Sequence, residues 1–347
     1  MSFFKQQIKI NNKTIGGERV YIIAEMACAH DGEFNKAIKL IDCAADAKAD
    51  AIQFELLEPD ANVIPGRDIN KLLKSLYFTP NEWKKLFKYA RKKKLDIFSF
   101  AYDLPSLKLA LKLKTDAIKL NSSDLMNTDL LKLASKSKLP FSVGTGGSTF
   151  EEIAKAVAYI KKHNGKKCIL MHGVQNFPTK LEYLRINRVK ILKESFKTIV
   201  GYADHTDADT DISKIIDLTA LGMGAKVLEK HITLDRDEKG VDYQSALEPD
   251  EFKQYVKLIR DAQIAMGNEE LTPLIAADYE YRIFQKKSIV AKYNIKKGQK
   301  ITKDKITFLR DTKEVGILPI DFKSIKNKRA KKDIKKFELI KSNILED

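Results

Sequence analysis

At 347 residues, with 44% hydrophobic and 32% charged side chains, the chain has room for one large and one small folded domain and the balance of a water-soluble protein. No apolar run approaches the roughly 18 residues that a membrane span needs, and the polar opening segment with Lys5 and Lys9 lacks the apolar centre of a secretory signal, so the expectation is a cytoplasmic protein with no membrane partner. The net charge is +16, but residues 286–347 hold 19 Lys and Arg against 8 Asp and Glu, without a helix-turn-helix, zinc-finger or regularly interleaved aromatic pattern, which excludes nucleic acid as the expected partner and leaves a solvated basic face. Cys28, Cys43 and Cys168 form no CxxC pair and read as small buried apolar residues.

Along the chain, short apolar or β-branched runs predict strands near Val20–Ala24, Ala51–Phe54, Ile97–Phe100, Ala117–Leu120, Phe141–Val143, Cys168–Met171, Ile199–Tyr202 and Lys226–Glu229, almost every one followed by a helical pattern. Thr79-Pro80-Asn81-Glu82 and Ser148-Thr149-Phe150-Glu151 read as capping boxes that start two of the helices. Between the second strand and its helix, Glu55 to Phe78 is long enough, with Pro59, Pro65 and Gly66, to be an active-site loop. Eight strands alternating with helices over about 250 residues predict a (β/α)8 TIM barrel, with a doubly wound open sheet as the alternative that periodicity leaves open. The predicted organisation is a barrel over 1–270, a linker over 271–285 and a small, mainly β domain over 286–347. In that last part Asn294–Gln299 and Asp333–Glu338 read as a weak internal repeat.

Catalytic groups of such a barrel gather where the C-terminal strand ends meet. Four of the five histidines, His30, His172, His205 and His231, follow predicted strands, and imidazole is a common ligand for divalent transition metals. The fifth, His163, reads as a helix-end residue. Glu25, Asp31, Asp204, Glu229 and Asp242 supply carboxylates nearby, and alternation along a strand sends neighbouring side chains to opposite faces, so Asp204 and His205 need not both reach one ion. Lys119 places a cation inside the fourth strand, where an unpaired charge costs several kcal/mol or more. Gly144-Thr145-Gly146-Gly147 precedes a capped helix and offers backbone N–H groups to an anion.

Ile22-Ile23-Ala24-Glu25, Ala29-His30-Asp31-Gly32, Lys119-Leu120-Asn121-Ser122, Gly201-Tyr202-Ala203-Asp204-His205-Thr206, Glu229-Lys230-His231-Ile232-Thr233-Leu234-Asp235-Arg236 and Ser245-Ala246-Leu247-Glu248-Pro249 resemble, in order, the signatures of the sialic acid (nonulosonate) synthase family. Residues 286–347 resemble the antifreeze-like (SAF, β-clip) domain that follows the barrel in that family. The resemblance implies an enzyme that joins phosphoenolpyruvate to an N-acylmannosamine-type aldose, releasing phosphate and giving a 2-keto-3-deoxy nonulosonic acid. It implies a metal, usually Mn²⁺, on His205 and His231, and catalytic roles for Glu25, Lys119 and Asp242. Substrate contacts are implied for His30, Gln53, Ser122, Thr145, His172 and Gln175. Arg310 is implied to reach a partner's site in a domain-exchanged homodimer.

The chain departs from the family pattern on one substrate. Gln53 of Gln53-Phe54-Glu55 stands where the family has lysine, Phe100 interrupts the usual Ser-Thr-Pro, and Gly144 and Ala203 each replace a serine. His172-Gly173-Val174-Gln175-Asn176-Phe177-Pro178 also differs from the common acceptor-side motif. Losing a cation and hydroxyl donors weakens anion binding by several kcal/mol, at roughly 1.5–3 kcal/mol for each charged hydrogen bond. The alternatives are a diverged metal-dependent lyase or aldolase that uses another donor, and a non-catalytic carbohydrate-binding protein.

Overall fold

The computed structural model describes residues 2–267 and 273–347, and the chain divides into two compact units, Met1–Gly267 and Asn268–Asp347. The first begins with an antiparallel hairpin, β1 (Ile8–Ile10) and β2 (Lys13–Ile15). It continues into eight parallel strands: β3 (Tyr21–Glu25), β4 (Ala51–Leu56), β5 (Asp96–Ala101), β6 (Ala117–Leu120), β7 (Phe141–Gly144), β8 (Cys168–His172), β9 (Ile199–Asp204) and β10 (Val227–His231). Each pairs with its sequence neighbour and β10 returns to β3, so the sheet is a closed barrel rather than an open one. All eight lie where the apolar runs predicted them.

The outer layer is α1 (Phe34–Asp46), α2 (Pro59–Asn62), α3 (Asp68–Ser75), α4 (Pro80–Lys92), α5 (Leu104–Lys112), α6 (Thr128–Lys136), α7 (Phe150–Lys162), α8 (Asn187–Phe196), α9 (Ile212–Gly222) and α10 (Pro249–Met266). The Thr79–Glu82 capping box starts α4, with the Glu82 carboxylate accepting from the Thr79 N–H at 2.8 Å. The box of α7 is Thr149–Glu152, one residue beyond the expected Ser148–Glu151, because Thr149 is the residue that leaves the helix. The long segment after β4 carries α2 and α3, tied together by Asn70, whose amide donates to the Pro59 carbonyl at 2.9 Å.

The hairpin was not anticipated, its strands being only three residues each. Ile8, Ile10 and Ile15 are buried with Tyr21, Ile23, Ala51, Phe98 and Val227, closing the end of the barrel where the strands begin. Asp96 fixes the plug: it accepts from Asn11 at 2.6 Å and from Tyr21 at 2.8 Å, and pairs with Lys13 at 3.1 Å.

In the second unit, α11 (Ala276–Gln285) is a ten-residue helix where the sequence reading placed a linker; residues 271 and 272 of that linker lie outside the described residues. Beyond it are β11 (Ser288–Ala291), paired antiparallel with β12 (Ile306–Leu309), and β13 (Arg329–Ala330), paired with β14 (Leu345–Glu346), around a core of Ile289, Ile295, Ile301, Ile334 and Ile340. The internal repeat is a structural one. Ile295 bridges Ile334, the Asp333 side chain accepts from the Lys297 N–H at 2.9 Å, and Asn294 accepts reciprocally from the Lys336 N–H at 2.8 Å. The equivalent turn positions are Gly298 (φ 81°) and Phe337 (φ 66°), so both copies keep the left-handed bend although one lacks the residue that favours it.

Truncating the plug should loosen the barrel. Ile15→Ala is expected to cost about 2–5 kcal/mol, the usual range for removing a fully buried aliphatic side chain, read as a lowered barrel midpoint in thermal unfolding. An unchanged midpoint would mean that the hairpin contributes nothing to closure.

Candidate active site

Strand alternation decides which side chains meet. On β3 to β10 the positions next to the helices hold Ala24, Phe54, Leu120 and Leu228, in the outer core, while Glu25, Glu55, Lys119, Glu229 and His231 face a cavity of about 190 Å³ at the strands' C-terminal ends. Asp204 and Lys230 face outward. Lys230 donates to Asp204 and, at 3.1 Å, to Asp217, and Asp204 also accepts from Thr206 at 2.6 Å and Tyr202 at 2.9 Å. This buried network fixes the ends of β9 and β10, which carry His205 and His231 one residue away.

Inside, Lys119 donates to both oxygens of Glu229, at 2.7 and 2.5 Å. β6 and β10 stand on opposite sides of the closed sheet, so this pair spans the barrel. The ammonium also lies 5.6 Å from the Phe100 ring, which is stacked on Tyr102 at 4.4 Å. Burial, and after it the Glu229 and Glu55 carboxylates, hold Glu25 well above the usual carboxylate range, against the opposing pull of Lys119. Glu55 accepts from Tyr102 at 3.1 Å and from the Cys28 thiol at 3.4 Å, yet burial still pushes it up to about 7. Asp242 is also raised by burial.

His205 and His231 have ring centroids 5.1 Å apart, and Phe177 packs on both. Nδ1 of His205 is 2.6 Å from the Val174 carbonyl, an acceptor, so Nδ1 carries the proton and Nε2 keeps a lone pair. Burial lowers both imidazole pKa values, that of His231 strongly, and keeps the rings neutral as metal ligands must be. The pair therefore fits a divalent ion. Among the described residues no group of three or more His, Cys, Asp or Glu is arranged to enclose one, so two imidazoles would hold it and leave other positions open.

Of the residues assigned from sequence, Glu25, Lys119, Ser122, Gln175, His205, His231 and Asp242 line this cavity. Of the other five, Arg310 belongs to the second unit, and three of the remaining four are engaged by their own bonding elsewhere. His30 stacks on Phe78 at 4.4 Å and its Nδ1 accepts from the Gly32 N–H, burial lowering its pKa to about 4. His172 bonds the Leu184 carbonyl at 2.7 Å, and the Thr145 hydroxyl donates to the Met171 carbonyl at 3.0 Å. Gln53 is fully buried, with neither amide atom partnered among the described residues. Arg310, in the second unit, bonds Gln285. Glu55 and Tyr102 were missed as cavity residues. Glu55 lies two residues beyond Gln53 on the same strand face, a spacing that signals it once Gln53 is a candidate.

The departures also reshape the wall. A Cβ on Gly144 would lie 2.3 Å from Ser122 Oγ and 2.8 Å from Ser122 N, so no serine fits there without backbone movement, and the Ser122 hydroxyl instead accepts from the Gly146 N–H at 3.2 Å. Phe100, Gly144 and Ala203 all line the cavity.

Buried ionisable groups at the C-terminal mouth of a closed (β/α)8 barrel define this unit as a barrel of the enzyme type. Residues 40–271 match the NeuB family and residues 286–343 the SAF domain. The N,N'-diacetyllegionaminic acid synthase of Campylobacter jejuni is 30% identical over 340 residues, covering 93% of this chain and 99% of that one. The spore coat polysaccharide biosynthesis protein SpsE of Bacillus subtilis is 30% identical over 354 residues, 94% of each chain. The crystal structure of N-acetylneuraminic acid synthetase from Leptospira borgpetersenii, in complex with citrate, is 31% identical with a TM-score of 0.74 over 80% of this chain and 96% of that one. The chain belongs to the NeuB family, with a SAF domain behind its barrel, and it is an enzyme.

The raised Glu55 pKa has a sign that can be tested. The folded protein holds a proton on Glu55 that the unfolded chain has lost, so this group's contribution to stability is full below the ordinary carboxylate pKa and declines as pH rises through about 7. Glu55→Gln removes that decline. The melting temperature of the variant relative to wild type should therefore increase between about pH 5 and about pH 8. A difference independent of pH would place the Glu55 carboxyl at its ordinary pKa.

Proposed function

We propose that this enzyme condenses phosphoenolpyruvate, or a related enol donor, with the open-chain aldehyde of an N-acylmannosamine-type aldose, releasing phosphate and giving a 2-keto-3-deoxy nonulosonic acid. The observation that carries the reading is the joint placement of two neutral imidazoles, a buried lysine–carboxylate pair and two further buried carboxyls in one cavity at the barrel mouth. The near full-length similarity to proteins named as synthases of such acids supports it.

His205 and His231 would hold the divalent ion, most simply Mn²⁺, which as a Lewis acid would polarise the acceptor aldehyde. Glu25, whose carboxyl burial holds well above the usual carboxylate range, would give a proton to the oxygen that becomes an alkoxide as the carbon–carbon bond forms. Lys119, paired with Glu229, would face the donor carboxylate. Asp242, held on a left-handed backbone at φ 59°, faces the cavity to orient acceptor hydroxyls.

A second reading is favoured by one observation: among the described residues Lys119 is the single lysine or arginine lining the cavity, and Glu229 already engages it. A donor without a phosphate, such as pyruvate adding directly to the aldehyde, fits that charge balance better. Mn²⁺-loaded protein should be incubated with a panel of aldoses and either phosphoenolpyruvate or pyruvate. Phosphate release with a new 2-keto acid is the expected result. Product from pyruvate alone would establish the second reading, and no product from either donor would remove both. Replacing His205 and His231 together by alanine should abolish stoichiometric metal uptake while the far-ultraviolet spectrum stays native. Ala203→Ser, which returns a hydroxyl to the cavity wall, should tighten phosphoenolpyruvate by about tenfold, as expected for a regained hydrogen bond to a charged group.

The assembly proposed with this function is a homodimer in which the SAF domain's Arg310 serves the partner's barrel. Supporting it, α11 buries none of its residues and exposes Tyr279, Tyr281, Ile283 and Phe284, an apolar set that a lone surface helix does not carry. Mixing Arg310→Ala with His231→Ala protein should restore part of the turnover in hybrid dimers. A monomer by sedimentation, or hybrids that recover nothing, would remove the trans role.

A further inference from the structure

At the end of the barrel where the strands begin, away from the cavity just described, a second pocket of about 380 Å³ opens between the C-terminal ends of α6 and α7. Lys5, Lys136, Lys138, Lys166 and Lys167 line it, and among the described residues no aspartate or glutamate does. The chain explains the imbalance. It contains no acidic residue between Asp129 and Glu151, nor between Glu152 and Glu182, so both helix ends and both following loops are free of counter-charge.

Lysines in the last turn of a helix ordinarily offset its C-terminal dipole, which accounts for Lys136. The other four lie outside any helix. Lys138 follows α6, Lys166 and Lys167 precede β8, and Lys5 is tied alongside by its N–H to the Lys166 carbonyl at 2.9 Å. Burial, and next to it Lys5, hold Lys167 below the ordinary lysine range, as expected where like charges are gathered. A second observation is independent of charge. Ser135, 5% exposed, lines the same pocket, and its hydroxyl has no partner among the described residues. Buried hydroxyls are nearly always bonded, and an unpartnered one costs about 1–3 kcal/mol. Leu139, half-buried, supplies an apolar wall beside these groups, backed by the core residue Phe141.

We infer that this pocket is a second binding site, for a small phosphorylated ligand that carries a planar apolar part, of the nucleoside monophosphate class. The lysines take the phosphate, the Ser135 hydroxyl takes one polar atom, and the base lies along Leu139. The volume lies in the range of small-molecule sites, about 300–1,000 Å³. The site is separate from the condensation chemistry, so its occupancy and the reaction are tested independently.

Full-length protein is titrated at low salt by calorimetry with adenosine 5′-monophosphate, with adenosine and inorganic phosphate as controls. Saturable binding of the nucleotide, tighter than either control and weakened by added salt, is expected. In Lys138→Glu/Lys167→Glu protein with a native circular dichroism spectrum, affinity should fall about tenfold or more, as follows from loss of charge-assisted contacts. Ser135→Ala, which alters no charge, should weaken binding by less and leave its salt dependence intact. Should the charge-reversed protein not fold, Lys138→Gln/Lys167→Gln serves in its place. Absence of nucleotide binding, binding no tighter than that of phosphate alone, or binding unaffected by the lysine substitutions would overturn the assignment.

Discussion

The interior of this barrel is organised by the ion pair between Lys119 and Glu229. A lysine on the inner face of a closed sheet is tolerable only with a partner, since burying an unpaired ammonium is costly and breaking a buried pair typically costs about 3–5 kcal/mol. The partner comes from the strand diametrically opposite, so the pair ties the two halves of the barrel and sets the floor of the reaction cavity. Everything above it inherits that charge balance. Among the described residues no further lysine or arginine lines the cavity beside Glu25 and Glu55, and burial dominates both of their pKa values.

The same alternation works on the outside of β9 and β10. Because neighbouring residues face opposite ways, the residues adjacent to His205 and His231 point into the layer between sheet and helices, where Asp204, Lys230 and Asp217 compensate one another. A substitution there would be felt at the histidines through the backbone, without contact to any ligand. The two imidazoles stay neutral and oriented because one is fixed by the Val174 carbonyl and both are buried against Phe177. The two ends of the barrel thus have opposite electrostatics: carboxyl-rich at the mouth, lysine-rich at the far end. The net charge of the whole chain describes neither.

The sequence by itself determined the eight strands and their alternation with helices, because each strand is an apolar run followed by an amphipathic helix, a local signal that needs no long-range information, whereas closure of the sheet rests on the pairing of β10 with β3. It also determined the internal repeat of the second unit, where Asn294 and Asp333 stand at equivalent turn positions. It pointed to His205, His231, Glu25 and Lys119, since polar residues at strand ends stand out against apolar surroundings.

Only the tertiary structure decided which of the other polar residues reach the cavity. His30, His172 and Thr145 sit at strand ends like the rest, but their hydrogen bonds are taken by Gly32, Leu184 and Met171, partners fixed by how loops pack. Gln53 and Glu55 share a strand face, and the depth of the barrel, which no local pattern records, buries the first and opens the second to the cavity. The closeness of Gly144 to Ser122 and the meeting of Lys119 with Glu229, 110 residues apart, likewise arise from barrel closure. A strand's periodicity says which side a residue faces; only the closed sheet says what stands opposite it.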